Sequence, residues 1–212
     1  MTPMLSVAVL AGGKSTRMET DKALVELAGV PLIARVIERV RPLEPAEIVI
    51  ICRQPARYAF LDLPAYDDLI PDLGPMGGLL TALTHARHPH VIVVGCDMPF
   101  VNPALLTALV EAQRASGDVY DAVVPWWQGQ AQPLHALYHV KCLDQVAGVI
   151  ASGERRMRRL LEMLHVRAVA EPEIEPLDPE GRAFINLNTP GDLRDAQPYP
   201  QTSDDRIDRK GR

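Results

Sequence analysis

The chain has 212 residues, 47% hydrophobic and 23% charged, and its 22 Lys and Arg against 27 Asp and Glu give a net charge of −5. That length buries a full core without staples, and the acidic balance argues against a broad nucleic-acid footprint. Three widely spaced cysteines without a CxxC pair exclude a disulfide framework and a cysteine zinc site, and no leader or apolar run of about 20 residues is recognisable, so a cytoplasmic protein with no membrane segment is expected.

The first apolar run, Leu5–Leu10, ends in Ala11-Gly12-Gly13, followed by Lys14-Ser15-Thr16-Arg17-Met18 and then Asp21-Lys22. Two glycines at a strand end let backbone N–H groups approach a polyphosphate, because no Cβ stands in the way. Arg17 and Lys22 offer the compensating charge. The spacing GG-x3-R-x3-DK matches neither GxGxxG nor GxxxxGK[ST], and a plain turn with exposed basic residues is the alternative.

Pro31 suits a first helical position, after which Leu32, Ile33, Val36, Ile37 and Val40 share one face. A buried strand follows at 48–52. The stretch from Asp67-Asp68 through Gly74-Pro75-Met76-Gly77-Gly78 is acidic and glycine-rich, suited either to backbone contact with a base or ribose or to a surface turn. A glycine turn at 77–78 then leads into a helix carrying Leu79, Leu80 and Leu83.

The strand at 91–95 closes on Gly95-Cys96-Asp97-Met98-Pro99. In open α/β sheets ligands lie beyond the carboxyl ends of strands, where a carboxylate such as Asp97 can hold Mg²⁺ against phosphate oxygens; capping the turn is its plainer use. Asn102-Pro103 caps and starts a third helix with Leu105, Leu106, Leu109 and Val110 inward. One more buried strand is expected at 122–125.

Beyond residue 125 the alternation changes. Residues 130–139 read as a strand pair or edge insertion, in which His135 and His139, four apart, assemble no metal site. His85, His88 and His90 cluster where a helix gives way to a strand. Residues 143–164 carry two helical segments broken near Ser152-Gly153, and the run Glu154-Arg155-Arg156-Met157-Arg158-Arg159 is a solvated face or an attractor for an anionic phosphate. Trp126-Trp127 reads as packing, or as a stacking surface for a flat ring. Around Asn186-Leu187-Asn188, alternation puts both amides on one strand face, and Thr189-Pro190 starts a helix.

Strand and helix in alternation imply an α/β protein: a three-layer α/β/α sandwich with a Rossmann-like, mostly parallel sheet. One domain is expected over 1–197, with a flexible tail at 198–212 that lacks apolar periodicity.

Together LAGG-x3-RM, DK, GPMGG, CDMP and NLNTP, spread over about residues 5–195, resemble the molybdenum cofactor guanylyltransferase family of the nucleotidyltransferases. The resemblance implies a nucleotide-diphospho-sugar transferase type of fold. It also implies Mg²⁺-dependent transfer of GMP from GTP to molybdopterin or Mo-molybdopterin, with diphosphate leaving. By the same resemblance Leu10, Ala11, Gly12 and Gly13 lie along the nucleotide, and Lys22, with Arg17, serves the phosphates. Asp67 contacts the nucleotide, Asp97 is the Mg²⁺ ligand, and Asn186 and Asn188 belong to the pterin side. A monomer is implied, working with cofactor-delivery proteins and molybdoenzyme chaperones and with neither nucleic acid nor membrane. Two departures stand out: Glu19-Thr20 where the family has glycine, and Cys52-Arg53 where it has asparagine. The alternatives are a relative using CTP on the same pterin, one acting on a sugar 1-phosphate, and a non-catalytic nucleotide-binding module that handles the cofactor.

Overall fold

The structure, a computed structural model, describes residues 4–12 and 21–196. Gly13, Arg17, Glu19, Thr20 and the expected tail at 198–212 lie outside the described residues. The strands are β1 (Leu5–Leu10), β2 (Glu26–Leu27), β3 (Val30–Pro31), β4 (Glu47–Cys52), β5 (Ala65–Asp67), β6 (His90–Gly95), β7 (Ala122–Trp127), β8 (Gln130–Ala131), β9 (His135–His139) and β10 (Val166–Val169). The α-helices are α1 (Leu32–Val40), α2 (Pro75–His85), α3 (Pro103–Ala115), α4 (Leu143–Ala151), α5 (Met157–Met163), α6 (Glu171–Ile174) and α7 (Pro190–Ala196).

One sheet runs in the order β10-β7-β9-β6-β1-β4-β5, with β8 paired to β7, while β2 and β3 form a separate hairpin. Its neighbours pair in parallel except around β9 and β8, which run antiparallel to their partners. Along β1, Val7 and Val9 face one apolar layer with Ile33, Val36 and Leu105, whereas Ala8 and Leu10 face another with Leu79, Leu83 and Val146. Helices cover both faces, so every residue of β1 is buried. Each large aliphatic side chain so buried contributes about 1.5–3 kcal/mol, which is why these strands read as continuous apolar runs. Among the described residues no helix is long and apolar enough to cross a membrane.

Local details differ from expectation for identifiable reasons. Pro31 is the N-cap of α1, extended at ψ 141, and the helix begins one residue later. α2 starts at Pro75 behind Gly74, so Gly77 and Gly78 sit inside its first turns instead of in a preceding turn. Their missing side chains matter: a Cβ on Gly77 would come 3.0 Å from the Ile70 carbonyl oxygen, and one on Gly78 3.0 Å from Leu10 Cδ1. Asn102 caps α3 as expected, accepting from the N–H groups of Ala104 and Leu105 at 2.9 and 3.2 Å.

β9 is an interior strand between β6 and β7, not an edge insertion. Residues 185–188 do not form a strand: the segment lies at the turn beyond β6, which is already flanked by β1 and β9, and is held there by a hydrogen bond from Leu187 N–H to the Asp97 carbonyl at 2.9 Å.

Candidate active site

β1 and β6 lie side by side in parallel with Leu10 opposite Gly95. Chain order reverses here, since β4 and β5 lie on the far side of β1. Such a switch point opens a crevice at the carboxyl ends of the strands. The ladder continues past both strand ends, with Cys96 N–H bonded to the Leu10 carbonyl at 3.0 Å and Ala11 N–H to the Ile51 carbonyl at 2.8 Å. The turn at Ala11-Gly12 and the turn at Cys96-Asp97 therefore emerge together.

Gly95 permits this geometry, because a Cβ there would lie 2.6 Å from Asp97 Oδ1. Lys22 reaches the same point from a 3-10 turn over Lys22–Leu24, capped by Asp21. Its ammonium donates to Asp97 Oδ2 at 2.6 Å and to Asn188 Oδ1 at 2.5 Å. Both members of the ion pair are about one-fifth exposed, at 20% and 23%. Asp21 is itself anchored: its Oδ2 accepts from the Tyr58 hydroxyl at 2.8 Å and lies 3.2 Å from Arg57 Nη1. Burial, reinforced by the Asp21 carboxylate, pushes the Tyr58 hydroxyl far up, so it stays protonated and keeps donating.

Asp67 ends β5 opposite Cys52 and is exposed. It is the following residue, Asp68, whose carboxylate addresses the glycine turn, with Oδ2 3.0 Å from where a Gly12 Cβ would stand. Among the described residues Asp68 Oδ1 is buried and has no hydrogen-bond partner. Burial, then the Asp67 charge, raises the Asp68 pKa above the ordinary carboxylate range, and Arg53 partly offsets them. A buried acceptor left open at the rim is ready for a ligand donor.

The asparagines separate. Asn188 joins Lys22, while the Asn186 amide turns back to the Phe184 carbonyl at 3.2 Å. Asp192 fixes this stretch by accepting from Asn188 N–H and Thr189 N–H at 2.7 and 2.8 Å. Those N–H groups hold its carboxyl below the usual range. Asp68, Asp21 and Tyr58 were not singled out from the sequence.

Other candidates serve packing. The Trp127 indole lies against Phe184, and a Cβ on Gly181 would overlap it. His135 is fully buried, edge-on to Phe184, and burial lowers its pKa to about 3, so it is neutral. Arg156 and Arg159 pair with Glu154 and Glu162 on an exposed face.

The donors gathered around Lys22 are carboxylate and amide oxygens, the ligand class of a hard cation such as Mg²⁺, which takes one or two carboxylates together with substrate phosphates. Cysteines take no part: Cys52 and Cys96 are buried, free thiols whose pKa values burial raises, Cys52 to about 11.

Residues 7–169 match the family described as MobA-like NTP transferase domain. A Chloroflexus aggregans protein named probable molybdenum cofactor guanylyltransferase is 35% identical over 208 residues, 94% of this chain and 97% of that protein. The crystal structure of molybdopterin-guanine dinucleotide biosynthesis protein A from Archaeoglobus fulgidus is 32% identical, with a TM-score of 0.77, over 91% of this chain and 96% of that one. At 15% identity, 4-diphosphocytidyl-2C-methyl-D-erythritol synthase from Anaerococcus prevotii shares the fold, with a TM-score of 0.69 over 91% and 94% of the two chains.

Proposed function

Because the chain belongs to the MobA-like NTP transferase family, we propose that it transfers GMP from GTP to molybdopterin or its molybdenum-loaded form, making molybdopterin guanine dinucleotide and diphosphate. At the coarser level it is a nucleotidyltransferase of molybdenum cofactor biosynthesis with the nucleotide-diphospho-sugar transferase fold. The observation that carries the finer reading is the meeting of Lys22, Asp97 and Asn188 beside the Gly12 turn.

A phosphate oxygen of the acceptor attacks the α-phosphorus of GTP in line; the new P–O bond forms as the bond to the β-phosphate oxygen breaks. The acceptor phosphate is already ionised, so no side chain need remove a proton. The protein's work is positioning and charge stabilisation. Asp97, together with the phosphates, would hold Mg²⁺, which supplies charge neutralisation across the triphosphate. Without nucleotide, Lys22 and Asp97 neutralise each other. With it, the ammonium turns to the phosphates and stabilises the departing diphosphate, and the carboxylate is freed. Arg17 adds charge from the same loop.

Backbone at Leu10, Ala11 and Gly12 would lie along the nucleotide; Gly13, assigned to the same stretch by the family resemblance, lies outside the described residues. The Asp68 carboxylate, with Oδ2 beside Gly12 and Oδ1 unpartnered among the described residues, favours Asp68 over Asp67 as the acid that accepts from the nucleotide. Asn188, tied to Lys22, and Asn186 are assigned to the pterin side by the family resemblance, and of the two only Asn188 touches the Lys22–Asp97 pair.

Thermal stabilisation by GTP, CTP, ATP and UTP in the presence of Mg²⁺ tests the nucleotide assignment, since a ligand that binds the native state raises its melting point. GTP is expected to give the largest rise. A larger rise with CTP would replace the guanylyl reading with the cytidylyl one.

A further inference from the structure

The sequence places histidines at 85, 88, 90, 135, 139 and 165, and the fold brings His90 and His139 together at the rim opposite the proposed active site. His90 is the first residue of β6 and Asp97 lies two residues beyond its last, so the two rims are about 20 Å apart at the rise of a β-strand. His90 and His139 are cross-strand partners of β6 and β9, with rings edge to face at 5.4 Å. His90 Nε2 lies 2.7 Å from Asp118 Oδ1. One donor atom from each of His90, Asp118 and His139 lies within 4.8 Å of the other two, the one such group among the described residues.

Three separate elements supply these side chains, which makes the cluster a product of the tertiary fold. The Asp118 turn follows α3 in left-handed conformation, with φ +67 at Gly117 and +60 at Asp118. Lys141 ties this turn down, its ammonium donating to the Asp118 and Val119 carbonyls at 2.6 and 2.9 Å. The His90 side chain is 8% exposed and that of Asp118 44%, so a cation arriving from solvent meets the carboxylate first and a buried imidazole behind it.

We propose that His90, His139 and Asp118 form a binding site for a divalent transition-metal cation of the zinc class, with the fourth position open to solvent. Two imidazoles and one carboxylate are a donor set such cations favour, and one unlike the oxygen donors around Lys22. Tetrahedral bonds of about 2.0–2.1 Å place donors roughly 3.4 Å apart, so the wider pairs, within 4.8 Å, close by little more than an ångström while His90 Nε2 and Asp118 Oδ1, at 2.7 Å, part slightly, movements to which the exposed Asp118 side chain contributes. His139 Nδ1 accepts from Lys141 N–H at 3.1 Å. A cation on this ring competes with that hydrogen bond, so micromolar affinity is expected. When loaded, the site clamps β6, β9 and the α3–β7 turn together.

The test is a zinc titration of the untagged, chelator-treated full chain with excess Mg²⁺ present, followed by calorimetry and by thermal melting. One Zn²⁺ per chain is expected, raising the melting temperature. His139→Ala should abolish binding, and Asp118→Asn should weaken it about tenfold. Asparagine tolerates the positive φ at 118, so Asp118→Asn still reports if His139→Ala fails to fold. Absence of saturable binding at micromolar zinc, or binding that Asp118→Asn leaves unchanged, would overturn the proposal. The outcome is independent of the nucleotidyl-transfer reading.

Discussion

Lys22 and Asp97, 75 residues apart in the chain, meet at 2.6 Å, and the same ammonium reaches Asn188, another 91 positions on from Asp97. A partly exposed ion pair adds little to stability. Its value lies in holding a cation and a carboxylate at the switch point, each ready to exchange its partner for one half of a magnesium nucleotide.

Replacing Lys22 with methionine keeps the aliphatic stem and removes the charge. The expected loss in kcat/KM is about 2–4 kcal/mol, the scale of removing one preorganised electrostatic donor. Steady-state diphosphate release measures it, and the melting temperature should change little. A variant with unaltered kcat/KM would take Lys22 out of the phosphate site.

Asp68 and Asp67 should behave differently despite being neighbours. Asp68→Asn is expected to weaken nucleotide binding about tenfold, the scale of one lost hydrogen bond to a charged group. Asp67→Asn should leave binding near wild type. The sign for stability is opposite. The folded-state pKa of Asp68 is raised, so its ionised form opposes folding once pH exceeds the unfolded value, and that cost is absent below it. Asp68→Asn should therefore hold or raise the melting temperature at neutral pH while lowering affinity. Calorimetric titration of both variants separates the two acids.

Tyr58 acts through Asp21 on the turn that carries Lys22. Tyr58→Phe keeps the buried ring and deletes one hydrogen bond, with an expected cost of about 1 kcal/mol in kcat/KM, a factor of about 5. Comparing nucleotide KM with the urea midpoint shows whether the hydroxyl positions Lys22 or serves only the fold; an unchanged KM and kcat with a lower midpoint would indicate the latter.

Gly181→Ala places a Cβ into the Trp127 indole at a position with φ +62. Strain and overlap together should destabilise the chain by about 2–4 kcal/mol, measured by denaturant unfolding. A tolerated substitution would mean that Trp127 is free to move off Gly181, reopening a stacking role for it.

Much of the architecture was legible in the sequence because strands buried on both faces are continuous apolar runs, and β1, β4, β6 and β7 all are. The motifs carrying Lys22, Asp97 and Asn188 stood out because they lie at element ends, and the fold brings those three side chains together. What escaped depends on three-dimensional neighbours. That the Asp68 carboxylate stands beside the Gly12 turn while Asp67 is exposed depends on how the chain leaves β5, which the sequence does not display. Gly77 and Gly78 read as a turn because glycine disfavours helices, yet close approach of Ile70 and Leu10 requires them inside α2. The strand expected at 185–188 failed because the segment crosses the turn beyond β6, whose two sides β1 and β9 already occupy, and bonds there to Asp97 instead of to a sheet edge.

The central claim is that Lys22 and Asp97 serve one magnesium triphosphate. Its most direct test is diphosphate release with GTP, Mg²⁺ and molybdopterin, comparing the wild-type chain with a folded Asp97→Ala variant. Release that requires all three components and disappears in the variant is the predicted result; near-normal release by Asp97→Ala would contradict it.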